Sequence, residues 1–182
     1  MRIDFREFLG KRVLVVGEVG SGKTKLLARF LEFLIGSGYG SEVTLIDLAP
    51  SYRGVGRLVE EHTDAVRAVR YLKPDKIFPP RLLGRDSGEV LKYAELNYRA
   101  AEKLFEEFAE KPSKILLIND LTIYLHRGEV ERLLEIIGLA ETFAATAYEG
   151  SMLEDDKGSG VTARERRLLS KLKREMDIVL RL

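Results

Sequence analysis

The sequence predicts an α/β domain: three layers, with a mainly parallel sheet of about five strands between helices. Two observations lead there. Short apolar or β-branched runs alternate with segments of helical periodicity along the whole chain. No internal repeat or low-complexity linker interrupts the alternation, so residues 1–182 are expected to form one domain with a real core.

The elements follow in order. Residues 12–16 are a β-branched run and read as the first strand. Residues 23–35 carry Leu26, Leu27, Phe30, Leu31 and Leu34 at helical spacing, and Gly36 and Gly38 stop the helix. EVTLID, residues 42–47, is the second strand. A helix is expected around residues 57–61, and a strand at either 66–72 or 76–78. Pro79-Pro80 predicts an extended turn. Residues 89–111 read as a long helix with Val90, Ala94, Ala101, Leu104, Phe105 and Phe108 on one face. Asp86 and Glu89 suit its capping box, and Pro112 closes it. KILLIN, residues 114–119, is a fully apolar buried strand. A short helix at 129–137 and a strand at 142–147 come next. Thr162-x-x-Glu165 reads as a second capping box, opening a helix to about residue 175. IVLRL, residues 178–182, is the last strand.

Composition narrows the functional classes. The 45% hydrophobic and 32% charged fractions describe a soluble globular protein. A formal charge of +1 gives no global pull toward nucleic acid or anionic membrane. No apolar run is long enough to span a bilayer. The start, MRIDFREFLGKR, carries charges where a signal peptide needs its apolar stretch, so a cytoplasmic protein is expected. The absence of Cys excludes disulfides, thiolate metal sites and a Cys nucleophile. His62 and His126 lie far apart and make a poor zinc pair. There is no Gln, and Asn occurs only at 97 and 119, while Lys, Arg and Glu abound. That balance suggests a thermophile source.

Between the first strand and first helix lies GEVGSGKT, residues 17–24. Gly17, Gly22, Lys23 and Thr24 fit the Walker A spacing G-x-x-x-x-G-K-[ST], with Gly20 in addition. Glycines let backbone N–H groups turn inward around phosphate oxygens. Lys23 is placed to reach the β- and γ-phosphates, and the Thr24 hydroxyl to meet Mg²⁺. The helix from Lys23 aims its positive end at the anion. The nucleotide-binding residues are therefore Gly17, Glu18, Val19, Gly20, Ser21, Gly22, Lys23, Thr24 and Lys25, with ATP and Mg²⁺ as the expected ligands.

Such a loop needs an acid at the tip of a neighbouring strand. KILLIND, residues 114–120, supplies one candidate: four apolar residues lead into Asn119-Asp120, with Asn where Asp is usual. Thr24, Asp120 and Asn119 form the expected magnesium set, Asn119 acting on a metal-bound water. Asp47, closing VTLID, is the second acid, and either an Asx turn before Pro50 or a catalytic role suits it. The catalytic set is Lys23, Asp47 and Asp120. After Asp47, APSYRGVG is either a γ-phosphate-sensing switch or a surface loop. The guanine-reading N-K-x-D motif is absent, which favours ATP over GTP.

On these motifs the chain resembles the P-loop NTPase superfamily over nearly its whole length, and its RecA-like ATPase branch more than the kinase or GTPase branches. GEVGSGKT, VTLID, a long helix, ILLINDLTIYL, and a closing helix and strand follow that branch's order. The resemblance implies a Mg-dependent ATPase, with residues 47–49 as the region of the base and the branch's usual Glu missing. Its second half also resembles the corrinoid adenosyltransferases, in LTIYLHRG at 121–128 and the terminal MDIVLRL. Their compressed Gly-Lys-Gly-Lys-Thr loop differs from GEVGSGKT, and an ATP-dependent transferase stands as the alternative.

Residues 148–167 read as a mobile loop or lid over the nucleotide edge. Arg164, Arg166, Arg167, Lys171, Lys173 and Arg174 follow on one helix. They read as a partner contact, a nucleic-acid patch or a solvated face. No aromatic residues interleave them, so nucleic-acid binding lacks support. The expected function is a RecA-like ATPase, slow alone and coupled to a protein partner or a homo-oligomer. A transferase, or a nucleotide sensor with little turnover, are its rivals.

Overall fold

The structure, a computed structural model, describes residues 3–182. Met1 and Arg2, part of the charged start and of the expected 1–182 domain, lie outside the described residues. Six strands form one sheet: β1 (Arg12–Gly17), β2 (Val43–Asp47), β3 (Arg70–Leu72), β4 (Ile115–Asn119), β5 (Thr142–Tyr148) and β6 (Ile178–Arg181). Their spatial order is β3-β2-β4-β5-β1-β6, and every pairing is parallel.

Six helices are α1 (Lys23–Gly36), α2 (Pro80–Leu83), α3 (Ser87–Glu110), α4 (Thr122–Leu125), α5 (Val130–Ile137) and α6 (Val161–Lys173). A strand's side chains alternate between faces, and the core divides accordingly. Leu14, Val16, Ile46, Leu116, Ile118 and Phe143 pack with Phe105 and Phe108 of α3, Leu133 of α5 and Leu168 of α6. Val13, Val43, Leu45, Ile115, Leu117 and Ala144 pack with Leu27, Phe30, Leu31 and Leu34 of α1. Each such buried side chain contributes about 1.5–3 kcal/mol. Central strands covered on both faces have no polar side, which explains the unbroken apolar runs.

The α/β architecture holds, with corrections. The sheet has six strands where about five were expected, and of the two alternatives 66–72 and 76–78 the first holds a strand, at 70–72 on the sheet edge. The expected helix at 57–61 is a 3₁₀ turn, Val59–Glu61. Pro79 is extended, but Pro80 opens α2, where its missing N–H costs nothing. Asp86 caps α3 by accepting from the Glu89 N–H at 2.8 Å, while the Glu89 carboxylate takes the Arg85 N–H at 2.7 Å, so the reciprocal box does not close.

The second capping box is absent. Helix α6 starts at Val161 after Gly160, and Thr162 and Glu165 are buried inside it. Residues 148–167 are thus only in part a loop: Tyr148 ends β5 and α6 begins at Val161. Among the described residues, no helix is long and apolar enough to cross a membrane.

Candidate nucleotide site

All parallel strands end at one edge, and the candidate residues gather there. Gly17 ends β1, residues 18–22 form the turn, and α1 starts at Lys23. Gly22 caps α1 with φ +97°, a left-handed conformation that favours glycine. The turn delivers the N–H groups of the first turn of a 14-residue helix to the edge without intrahelical partners. Lys23 Nζ donates across the loop to the Glu18 carbonyl at 2.6 Å and toward Ser21 Oγ at 3.4 Å. Burial lowers the Lys23 pKa, against the opposing pull of Asp120 and Glu18.

A cavity of about 390 Å³ opens over this turn. Its walls include Val19, Gly20, Gly22, Lys23, Thr24 and Lys25 of the turn and α1, together with Asn119, Asp120 and Thr146 from the ends of β4 and β5. His62, Arg57, Tyr148 and Leu153 complete the rim. The strand carrying Asn119 and Asp120 is not the neighbour of β1 that was expected: β5 intervenes, and Thr146 fills the gap. Thr146 Oγ donates to Asn119 Oδ1 at 2.7 Å and accepts from the Asp120 N–H at 2.8 Å. Thr24 Oγ also donates to Asn119 Oδ1, at 3.3 Å. That points the Thr24 proton at the amide and leaves its oxygen lone pairs for a cation.

Asn119 is fully buried and its amide fully used. Besides the two hydroxyls, its Nδ2 donates to Asp47 Oδ1 at 2.9 Å and to the Arg57 carbonyl at 3.0 Å. It therefore fastens the strand tips together.

Asp47 is also buried, and its carboxylate accepts from the N–H groups of Val59 and Ala49, from Tyr71 Oη at 2.8 Å, and from Asn119. Burial raises its pKa against these bonds. It faces a separate cavity of about 460 Å³, with Tyr52 and Lys73, rather than the one over the phosphate loop.

Asp120 differs from both. It has φ +58°, faces the cavity, and has its pKa pushed up to about 7, chiefly by burial, with Lys23 pulling the other way. Among the described residues, no three His, Asp or Glu side chains gather as a ready-made metal cluster. Mg²⁺ in phosphate sites keeps several waters and takes only one or two carboxylates, which Thr24 and Asp120 suit.

The segment after β5 is tied to the loop. The Glu18 carboxylate accepts from the N–H groups of Val19, Ser151 and Met152, which hold its pKa low despite burial. Tyr148 Oη accepts from the Leu153 N–H at 2.9 Å. The basic helix is largely neutralised: Arg164 pairs with Glu129, Arg166 with Glu154, Lys171 with Glu131 and Lys173 with Glu149. Arg164 also spans the carbonyls of Leu125, Arg127 and Gly128, away from the phosphate loop.

Sequence reasoning missed a buried cluster beside Asp120. Arg81 on α2 binds Glu165 of α6 through both oxygens, at 3.0 and 3.1 Å, and Thr162 Oγ at 3.1 Å. The guanidinium also lies 5.4 Å from the Tyr148 ring centre. His126, which ends α4, donates Nε2 to Glu165 Oε2 at 2.5 Å. Burial pushes the Glu165 pKa up, but His126 and Arg81 hold it below the usual range. One signal was available: Glu165 falls on the apolar stripe of Val161, Leu168, Leu169 and Leu172, and a buried carboxylate needs a partner.

No protein-family model matches the chain, and no curated protein matches it.

Proposed function

We propose that the chain binds ATP with Mg²⁺ at residues 17–25 and hydrolyses its terminal phosphate, as a P-loop NTPase of RecA-like kind. One observation supports this reading: the Thr24–Asn119 hydrogen bond joins the start of the helix after a Walker A-like turn to the strand tip that carries Asp120, and Thr24 and Asp120 line one cavity. That cavity has the volume of a small-molecule site. The α1 N-terminus and Lys23 supply the positive field for phosphate oxygens. Thr24 and Asp120 hold the cation, and Mg²⁺ when bound offsets the charge of the phosphates. Asp120 then orients the attacking water and takes its proton. Asp47, with its oxygens already engaged, fixes the tip of β2 and the 57–59 turn in support.

The test is product analysis of purified protein with ATP and Mg²⁺ at elevated temperature, beside Lys23→Ala. ADP and inorganic phosphate from the wild type alone support the reading. Equal turnover by Lys23→Ala overturns it.

A further inference from the structure

Asp120 is a wall of two cavities. Beyond it, away from the phosphate loop, lies a chamber of about 40 Å³ that Arg81, Thr122, Ile123, His126 and Glu165 help to line. Three features mark it as more than a packing gap. Burying an Arg–Glu–His cluster is costly and often destabilises a fold relative to an apolar one. His126 is 3% exposed, and its Nδ1 has no hydrogen-bond partner, whereas buried polar atoms normally have one. With Nε2 committed to Glu165, Nδ1 is the ring's remaining polar atom and is free to hydrogen-bond a water. The volume also decides what fits. A water needs about 10–15 Å³ of such space, so the chamber has room for one or a few waters.

We infer that this chamber is the acceptor subsite of the reaction, and that it seats a single attacking water between Asp120 and His126 Nδ1. The inference rests on the reading of the chain as an ATP hydrolase, and it favours water over a transferase acceptor. The water oxygen bonds to the γ-phosphorus as the bond from that phosphorus to the β–γ bridging oxygen breaks. ADP leaves with that electron pair. The water proton passes to Asp120 and then to solvent, so ATP and water give ADP, phosphate and one proton. His126 is a positioning residue, and Glu165 and Arg81 hold its ring.

The test is the retention of ADP·Mg²⁺ with and without fluoroaluminate. Fluoroaluminate stands in for the transferring phosphoryl group and needs an axial oxygen on the far side. Gln at 126 keeps a donor toward Glu165 but loses the polar atom at the Nδ1 position, whereas Asn keeps a polar atom near Nδ1 and loses the Glu165 contact.

Wild type and His126→Gln are expected to bind ADP alone equally. Fluoroaluminate is expected to tighten ADP in the wild type and about tenfold less in His126→Gln, the loss of one hydrogen bond. His126→Asn is expected to trap better than His126→Gln despite a lower melting temperature. Ile123→Phe, which narrows the chamber without touching the phosphate loop, is expected to bind ADP and lose the trapping. Equal trapping in all four proteins, or none in a wild type that binds ADP, overturns the acceptor assignment and leaves the nucleotide site standing. Failure of the wild type to bind ADP at all overturns the nucleotide site itself.

Discussion

Asn119 Nδ2 donates to the buried Asp47 carboxylate at 2.9 Å, and this bond joins the tips of β4 and β2. It gives a reason for Asn where the motif usually has Asp. A carboxylate at 119 would face that of Asp47 with little water between them, and two such groups cannot both ionise cheaply. Asn119→Asp is therefore expected to destabilise the protein at neutral pH by about 2–4 kcal/mol, with partial recovery at pH 4–5 as one carboxyl takes a proton. Urea unfolding at both pH values checks this. A stability loss that does not shrink on acidification would refute the repulsion argument.

Asp120 carries a pKa raised to about 7 in the fold. Between its ordinary value, about 4, and that value the native state holds a proton that the unfolded chain has released. Stability from this group is thus greatest below pH 4 and falls as pH rises toward 7. Asp120→Asn is expected to raise the melting temperature at pH 8 and to change it little at pH 4. ATP turnover in the wild type should fall on acidification as Asp120 takes a proton, and the variant should be nearly inactive throughout. A melting temperature at pH 8 that falls in the variant would contradict the burial assigned to this carboxyl.

Arg81 and Glu165 form a buried ion pair, 6% and 3% exposed. Removing Glu165 leaves the buried Arg81 guanidinium without its carboxylate, and removing Arg81 leaves Glu165 with His126 alone. Arg81→Leu or Glu165→Leu alone should each cost about 3–5 kcal/mol, and the double substitution should cost less than the two single losses summed. A double-mutant cycle by denaturant titration measures the coupling directly, and strict additivity would count against the pairing.

Gly56 has φ +64°, and a Cβ there would come within 2.9 Å of Asp120 Oδ2 and into the Pro50 ring. Gly56→Ala should therefore destabilise by about 1–3 kcal/mol and displace Asp120. ATP turnover is expected to fall further than ADP affinity does, which separate kinetic and binding measurements would register.

The layered α/β architecture was legible because it rests on local patterns: apolar runs in β1, β2 and β4, and helical periodicity in α1 and α3. The glycine turn between β1 and α1 was legible for the same reason, since its glycines carry their backbone requirements with them. What escaped was long-range. The strand β5 between β1 and β4 is a matter of sheet order, and spacing along the chain does not encode it. The Arg81–Glu165 contact joins residues 84 positions apart, and Thr162-x-x-Glu165 imitates a cap locally while serving the core globally. Asn97 was hidden similarly: it lies on the buried face of α3 because it holds both backbone groups of Phe78, at 2.9 and 2.7 Å.

Asp120, Tyr148, Val55 and Leu153 each belong to the wall of both the larger cavity and the small chamber. A shared partition is a route by which the two compartments can be coupled, and any such coupling is reciprocal. Whatever free energy a ligand in the first lends to occupancy of the second must be returned by the second to the first in equal measure. Under the proposed reading, a water held on one side of this partition would gain from a nucleotide on the other as much as the nucleotide gains from it, a coupling that needs no separate regulatory domain.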